Sequence, residues 1–176
     1  VTMASSWMRN GGGLHATYYA DEAAEAAEEA LTTDLMPGSR YDWRTHRPEV
    51  VERGFVVHLD GDYVAHAAAS GTLAIGDCYG SMTVGWGGEP LLSSDGPRSA
   101  EVAVERGART PLAVRFVDDG TAPVCHFGWQ VEEDGETRIE PLDTSRLFDS
   151  RFGGDVSSGR LSSKGFDQTP TKFTYL

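Results

Sequence analysis

Lysine is almost missing from this chain. Only Lys164 and Lys172 occur among 15 basic residues, against 27 acidic ones, for a formal net charge of −12. A chain so short of clustered cations lacks what sequence-independent nucleic-acid binding requires, namely enough Lys and Arg to displace counterions from phosphates. The same shortage argues against docking on anionic lipid, and leaves solubility as the plain meaning of the acidic excess. Arg-rich, Lys-poor usage reads as genome composition, with a salt-adapted source as an alternative. Asparagine is scarcer still: Asn10 stands alone, in Asn-Gly-Gly, so no N-glycosylation acceptor exists. No apolar run approaches the ~18 residues of a membrane-spanning helix. The chain opens on Val1 with no apolar stretch behind it, which reads as a processed N-terminus or a leader outside this sequence.

Other absences concern chemistry. The two cysteines, Cys78 and Cys125, form no C-x-x-C pair and no zinc pattern. We read them as buried free thiols; a disulfide between them, in an exported protein, is the alternative. Asp77 beside Cys78 would raise a thiol's pKa and make it less reactive. The five histidines, His15, His46, His58, His66 and His126, have no H-x-x-x-H or H-E-x-x-H spacing. No G-x-S-x-G exists, and Gly85–Pro90 (GWGGEP) lacks the lysine of a phosphate-binding loop and reads as a hairpin turn. Nothing pairs a nucleophile with a base, so the chain is read as a non-enzyme.

What is present is a series of short β-rich runs. Leu14–Tyr19 alternates and carries β-formers. Phe55–Leu59, Asp62–Ala67, Thr72–Ile75, Met82–Trp86, Ser99–Glu105, Leu112–Val117 and Ala122–Val131 follow, with turn signals such as Asp60-Gly61, Gly87-Gly88 and Asp119-Gly120 between them. Many short strands with frequent turns predict an antiparallel β-sandwich or barrel. Within the last run, Cys125, Phe127 and Trp129 share one face by period two, which marks a core face; Trp43 is assigned to the core as well. The Ala/Glu-rich stretch near 21–31 predicts one short helix with acids in its first turn. Residues 1–12 lack periodicity, and 144–176 are rich in Ser and Gly with spaced aromatics. The expected organisation is an N-terminal arm over 1–12, a β-sandwich over 13–143 and an extended C-terminal arm over 144–176.

Gly13–Ala20 (GLHATYYA), Tyr41–Trp43 (YDW), Phe55–Ile75 with its Gly61 and Ser70-Gly71, the MTVGWGGEPLL hairpin, and Ser99–Trp129 together resemble, in order and spacing, the PA14 family. That family is a β-sandwich module of secreted and surface proteins. The resemblance covers about residues 13–143. It implies an all-β, PA14-like sandwich outside the cytoplasm, in the periplasm, on the surface or secreted. Sugar-binding members hold calcium through a paired D-D-G between the two strands where Gly76–Gly80 (GDCYG) stands here. Calcium needs six to eight oxygen ligands, and GDCYG offers one carboxylate, Asp77. The ligand loop therefore reads as degenerate, and the question is whether GDCYG is a turn or a remnant of a binding loop.

Two functional expectations follow. The first is a non-catalytic accessory or structural subunit, held with protein partners in a larger assembly through its arms. Trp7, Phe148, Phe152, Phe166, Phe173 and Tyr175 would be the partner-binding residues, and TKFTYL (171–176) the kind of segment that adds a strand to a sheet edge. The second is a glycan-binding module that uses Asp77, Tyr79 and Trp86, with calcium on Asp77, Asp118 and Asp119. Asp118-Asp119-Gly120 is otherwise an ordinary turn. No cofactor is expected beyond that calcium.

Overall fold

The computed structural model describes residues 12–149, together with the backbone of two short paired strands, Gly154–Asp155 and Arg160–Leu161. In chain order the elements are β1 (Leu14–Tyr19), α1 (Glu22–Ala26), β2 (Ala30–Met36), β3 (Arg40–Asp42), β4 (Val56–Val64), β5 (Ala69–Tyr79), β6 (Ser81–Trp86), β7 (Glu89–Ser93), β8 (Ser99–Val104), β9 (Arg109–Val117), β10 (Val124–Glu133), β11 (Glu136–Pro141) and β12 (Leu147–Phe148). They form two antiparallel sheets. The first runs β2-β1-β4-β9-β6-β7, with β12 continuing the line of β1 along β4; the second runs β11-β10-β5-β8, with β3 also on β10. The all-β sandwich with one short helix is thus the observed architecture.

Alternation sets the core. Val57, Leu59, Gly61 and Tyr63 on β4, Leu112, Val114 and Phe116 on β9, and Cys125 and Phe127 on β10 are buried, while the residues between them are partly or fully exposed. At the centre lies an aromatic group. Trp43 stacks on Phe116, with ring centroids 4.6 Å apart, meets Phe55 edge-on at 5.8 Å, and stacks on Tyr41 at 5.2 Å. Its indole N–H donates to the Tyr18 hydroxyl at 3.1 Å. Burial pushes the Tyr18 phenol up to about 12, against the lowering effect of that bond.

Five expectations change. The helix is five residues long rather than spanning 21–31. Asp21 caps it by accepting from the Ala24 N–H at 2.8 Å, but none of its residues is buried, so no apolar face sustains further turns. Glu28 takes a left-handed φ of 57°, and the β-branched Thr32 and Thr33 then continue as β2. Asp60-Gly61 is not a turn either: β4 runs straight through it. Gly61 is buried, and a Cβ there would overlap the Phe148 carbonyl, so the glycine serves the close passage of β12. The GDCYG stretch is neither loop nor simple turn. Asp77, Cys78 and Tyr79 belong to β5, and Gly80 alone, at φ 124°, carries the chain from the second sheet to the first. A side chain on Gly80 would meet the Phe116 ring and the Val117 carbonyl.

The fourth correction concerns the thiols. Cys78 and Cys125 stand directly opposite in register on β5 and β10, with Cα atoms 4.0 Å apart, and form a disulfide. Neighbouring strands place the two sulfurs within bonding reach, which their 47-residue separation conceals. Phe148, expected in an arm, is half-buried in β12 opposite Asp62, and the Gly12 and Gly13 N–H groups donate to the Leu147 carbonyl at 3.0 and 3.3 Å.

Replacing both cysteines, Cys78→Ala with Cys125→Ala, should lower stability by about 2–4 kcal/mol, the usual range for a link closing a loop of this order. A urea titration of the two proteins under oxidising conditions checks it; coincident midpoints would show that the strand ladder alone holds β5 to β10.

Candidate functional site

The residues singled out from sequence separate into two groups at opposite ends of the sandwich. Asp77 and the 55% exposed Tyr79 lie at the end of β5. Asp118 and Asp119 follow β9, whose Val117 pairs with Ser81 beside Gly80, so they stand at the same end. Trp86 sits at the other end of β6, five residues beyond Ser81, or roughly 17 Å at the rise of a strand. The structure therefore does not bring Trp86 together with Asp77 and Tyr79. Trp7, Phe152, Phe166, Phe173 and Tyr175 lie outside the described residues.

Asp118 is a buried loop anchor. Arg53 Nε donates to Oδ2 at 2.7 Å and Arg53 Nη2 to Oδ1 at 3.0 Å, while the Gly54 and Gly120 N–H groups donate at 2.7 and 3.0 Å. Each carboxylate oxygen thus accepts twice. Burial alone would raise this carboxyl's pKa; the Arg53 bond and the two backbone donors outweigh it and hold the group below the usual carboxylate range. Asp119 accepts from the Thr121 hydroxyl and N–H, which lowers its pKa. Asp77 is exposed on a strand. Calcium needs six to eight oxygens with free lone pairs, and this set does not supply them. Among the described residues no group of three or more His, Cys, Asp or Glu is arranged to hold a metal ion.

The histidines are engaged separately. His58 bonds Glu25, the carboxylate that also takes Arg115 Nε and Nη2 at 2.7 Å each; the Arg115 bonds, against burial and with help from His58, pull Glu25 down to about 2. His126 sits at a register shift in β10 with its ring over Gly76, and burial and the nearby Arg40 lower its pKa against the pull of Asp77.

The end away from Gly80 carries a feature not anticipated as a site. Tyr63, Trp86 and Trp129 close the gap between the sheets there, with centroids 5.6 Å apart for Tyr63–Trp86, 6.1 Å for Tyr63–Trp129 and 6.2 Å for Trp86–Trp129. The Trp129 ring rests against Gly71. Beside it opens a cleft of about 340 Å³ lined by Tyr63, His66, Ser70, Val104, Trp129 and Gln130, among others, with no Asp, Glu, Lys or Arg in the lining. Trp129 is only partly buried, because it lies two residues past Phe127 on the same face, where the core runs out. The Cys125-Phe127-Trp129 periodicity marked its face but not that limit.

No protein-family model matches the chain, and no curated protein matches it. Solved structures do. An anti-sigma factor domain-containing protein superposes with a TM-score of 0.61 at 15% identity over 80% of this chain and 48% of that chain, so this chain spans about half its length. The PA14 domain of the antifreeze protein MpAFP gives 0.55 at 14% identity over 79% and 92% of the two chains. The A domain of epithelial adhesin 6 from Candida glabrata, solved with Galβ1-3GlcNAc, gives 0.52 at 12% identity over 90% and 94%. A β-glucosidase is also among the matched chains. At these identities the likeness is one of fold. The chain is an antiparallel β-sandwich module, and its fold is PA14-like.

Asp118→Ala should cost about 2–3 kcal/mol, since it strands the Gly54 and Gly120 N–H groups and the Arg53 guanidinium. Millimolar calcium should leave the melting temperature of the unaltered protein where it is. A calcium-dependent rise that Asp118→Ala removes would mean that the carboxylate is available to a metal after all.

Proposed function

We propose that this chain is a non-catalytic binding module working outside the cytoplasm, held in a larger protein assembly by the segments that leave its two ends. One observation carries the reading: the folded body begins and ends at one place. Gly12 and Gly13 bond to Leu147, and His15 stands 3.8 Å from Asp149. The points where segments 1–11 and 150–176 join it therefore lie side by side, and two weak anchors joined to one rigid body gain from effective concentration. Trp7, Phe152, Phe166, Phe173 and Tyr175 lie in these segments and supply the apolar contacts; Phe148 stays with the sandwich. The Cys78–Cys125 disulfide supports an oxidising compartment. The net charge of −12 suits protein partners rather than nucleic acid.

The chain trimmed to 12–149 should stay folded, with a melting temperature within a few degrees of the full chain, and should migrate as a monomer in an extract where the full chain runs with fixed protein companions. Retained companions after trimming would refute docking by the ends.

A second reading is favoured by the cleft at Trp129. An aromatic face bordered by hydrogen-bonding groups, with no Asp, Glu, Lys or Arg in the lining, suits a neutral sugar, whose apolar ring face stacks while its hydroxyls reach Gln130, Ser70 and His66. The adhesin with the same architecture holds a neutral disaccharide. On this reading Tyr63 and Trp129 replace Asp77 and Tyr79 as the sugar-facing residues, and calcium plays no part. Neutral oligosaccharides should quench tryptophan fluorescence equally with and without chelator, and Trp129→Ala should abolish the response; an unchanged spectrum across a broad neutral glycan set would eliminate it.

A further inference from the structure

We infer that a groove on the outer face of the first sheet seats residues 172–175 (KFTY) of the same chain. The groove, of about 620 Å³, crosses the strands from Asp60 on β4 to Pro90 on β7. Its floor is Ala113 and Gly85, which stand opposite each other in register on β9 and β6. His58, Arg115 and Thr83, in register across three strands, form one wall; Asp62 and Pro111 form the other. Three strand spacings separate its ends, roughly 14 Å, the length of four extended residues.

Gly85 points to an occupant. A glycine inside a strand weakens it, and often marks the close passage of a ligand or another segment of chain. The fold itself does not ask for one at this position. Gly85 takes no left-handed φ, so the register shift of β6 on β7 beside it needs no glycine, and a Cβ there would meet nothing closer than 3.5 Å. Gly61 and Gly80, by contrast, are crowded by their own surroundings.

Charge names the occupant. Residues 12–149 hold 25 acidic and 10 basic residues, a net −15, whereas 150–176 hold two acidic and four basic, a net +2. Asp60, Asp62 and Glu89 in the groove's lining, with Glu22 and Glu25 behind Arg115, outnumber the two arginines there, Arg115 and Arg109. Both lysines of the chain thus belong to a cationic segment joined to an acidic body. The junction lies at the groove, because Phe148 pairs with Asp62. Gly154–Asp155 then pairs antiparallel with Arg160–Leu161, which brings Leu161 back beside Gly154 and shortens the tether. A short tether gives the chain's own segment an effective concentration far above that of a second copy in dilute solution. Phe173 and Tyr175 share a face by period two and cover the Gly85–Ala113 floor, as aromatic rings do over strand glycines. A partner that takes these rings has to draw them from the groove first, but the seat does not depend on there being one.

A lysine-specific endoprotease reads the seat in the full chain, since it can cut only after Lys164 and Lys172. Release of residues 173–176 should be about tenfold slower than in Gly85→Leu, whose side chain fills the groove and leaves the melting temperature unchanged or raised. Glu89→Arg, on the exposed rim, should also speed release, as should added salt. Equal rates in the unaltered protein and both variants overturn the proposal. So does protection that disappears on dilution, since the occupant is then a second copy. If Gly85→Leu lowers the melting temperature, Glu89→Arg decides alone, and an unchanged rate in it overturns the proposal.

Discussion

The indole of Trp43 holds this sandwich together at its centre. It comes from the short β3 region of the second sheet, stacks on Phe116 of the first, and gives its N–H to Tyr18, also of the first. A buried indole needs a partner for that N–H, and a buried phenol needs one for its oxygen; here each satisfies the other. The Tyr18 hydroxyl is directed in turn to the Met36 sulfur at 3.6 Å, which ties the end of β1, the end of β2 and the residue after β3 to one point. Phe55 and Phe116 then fix the loops on either side of Asp118, whose N–H donates to the Phe55 carbonyl. The loops at the Gly80 end are therefore built on the aromatic centre and stapled by Asp118 and Arg53.

This construction explains why the Gly80 end lacks the room that a metal loop needs. A single glycine spans from β5 to β6, and the Phe116 ring closes the space a side chain would take. Asp77 stays exposed on a strand and takes no part in the hydrogen bonds that staple Asp118. The acids of this end are spent on turns: Asp118 on four donors and Asp119 on Thr121. Abundant carboxylates alone do not make a cation site; free lone pairs converging on one point do.

The sequence made the sandwich legible wherever alternation was uninterrupted. Leu14–Tyr19 and Leu112–Val117 show buried residues at every second position, as do Cys125 and Phe127 at the start of β10, and the order of these runs carried the resemblance to PA14 domains. It failed where long-range contacts override local preference. Asp60-Gly61 carries a turn signature, yet β12, arriving more than eighty residues later, passes over Gly61 and keeps the strand straight. The Ala/Glu stretch has helix propensity but no apolar face, so only its capped first turn survives. The cysteines could be paired only once β5 and β10 were known to be neighbours. The same limit hid the aromatic cleft: Tyr63, Trp86 and Trp129 come from three strands, and their sequence spacing gives no sign that they meet.

Both readings of function converge on one end of the molecule. Leu147 pairs with Tyr63 in register, and Tyr63 borders the Trp129 cleft, so β12 begins beside that cleft. A partner held by the terminal segments would lie against that cleft, and a sugar bound there would compete with it for the same surface. The two readings are thus coupled through space, and mutual exclusion between companions and neutral glycans would follow if both held.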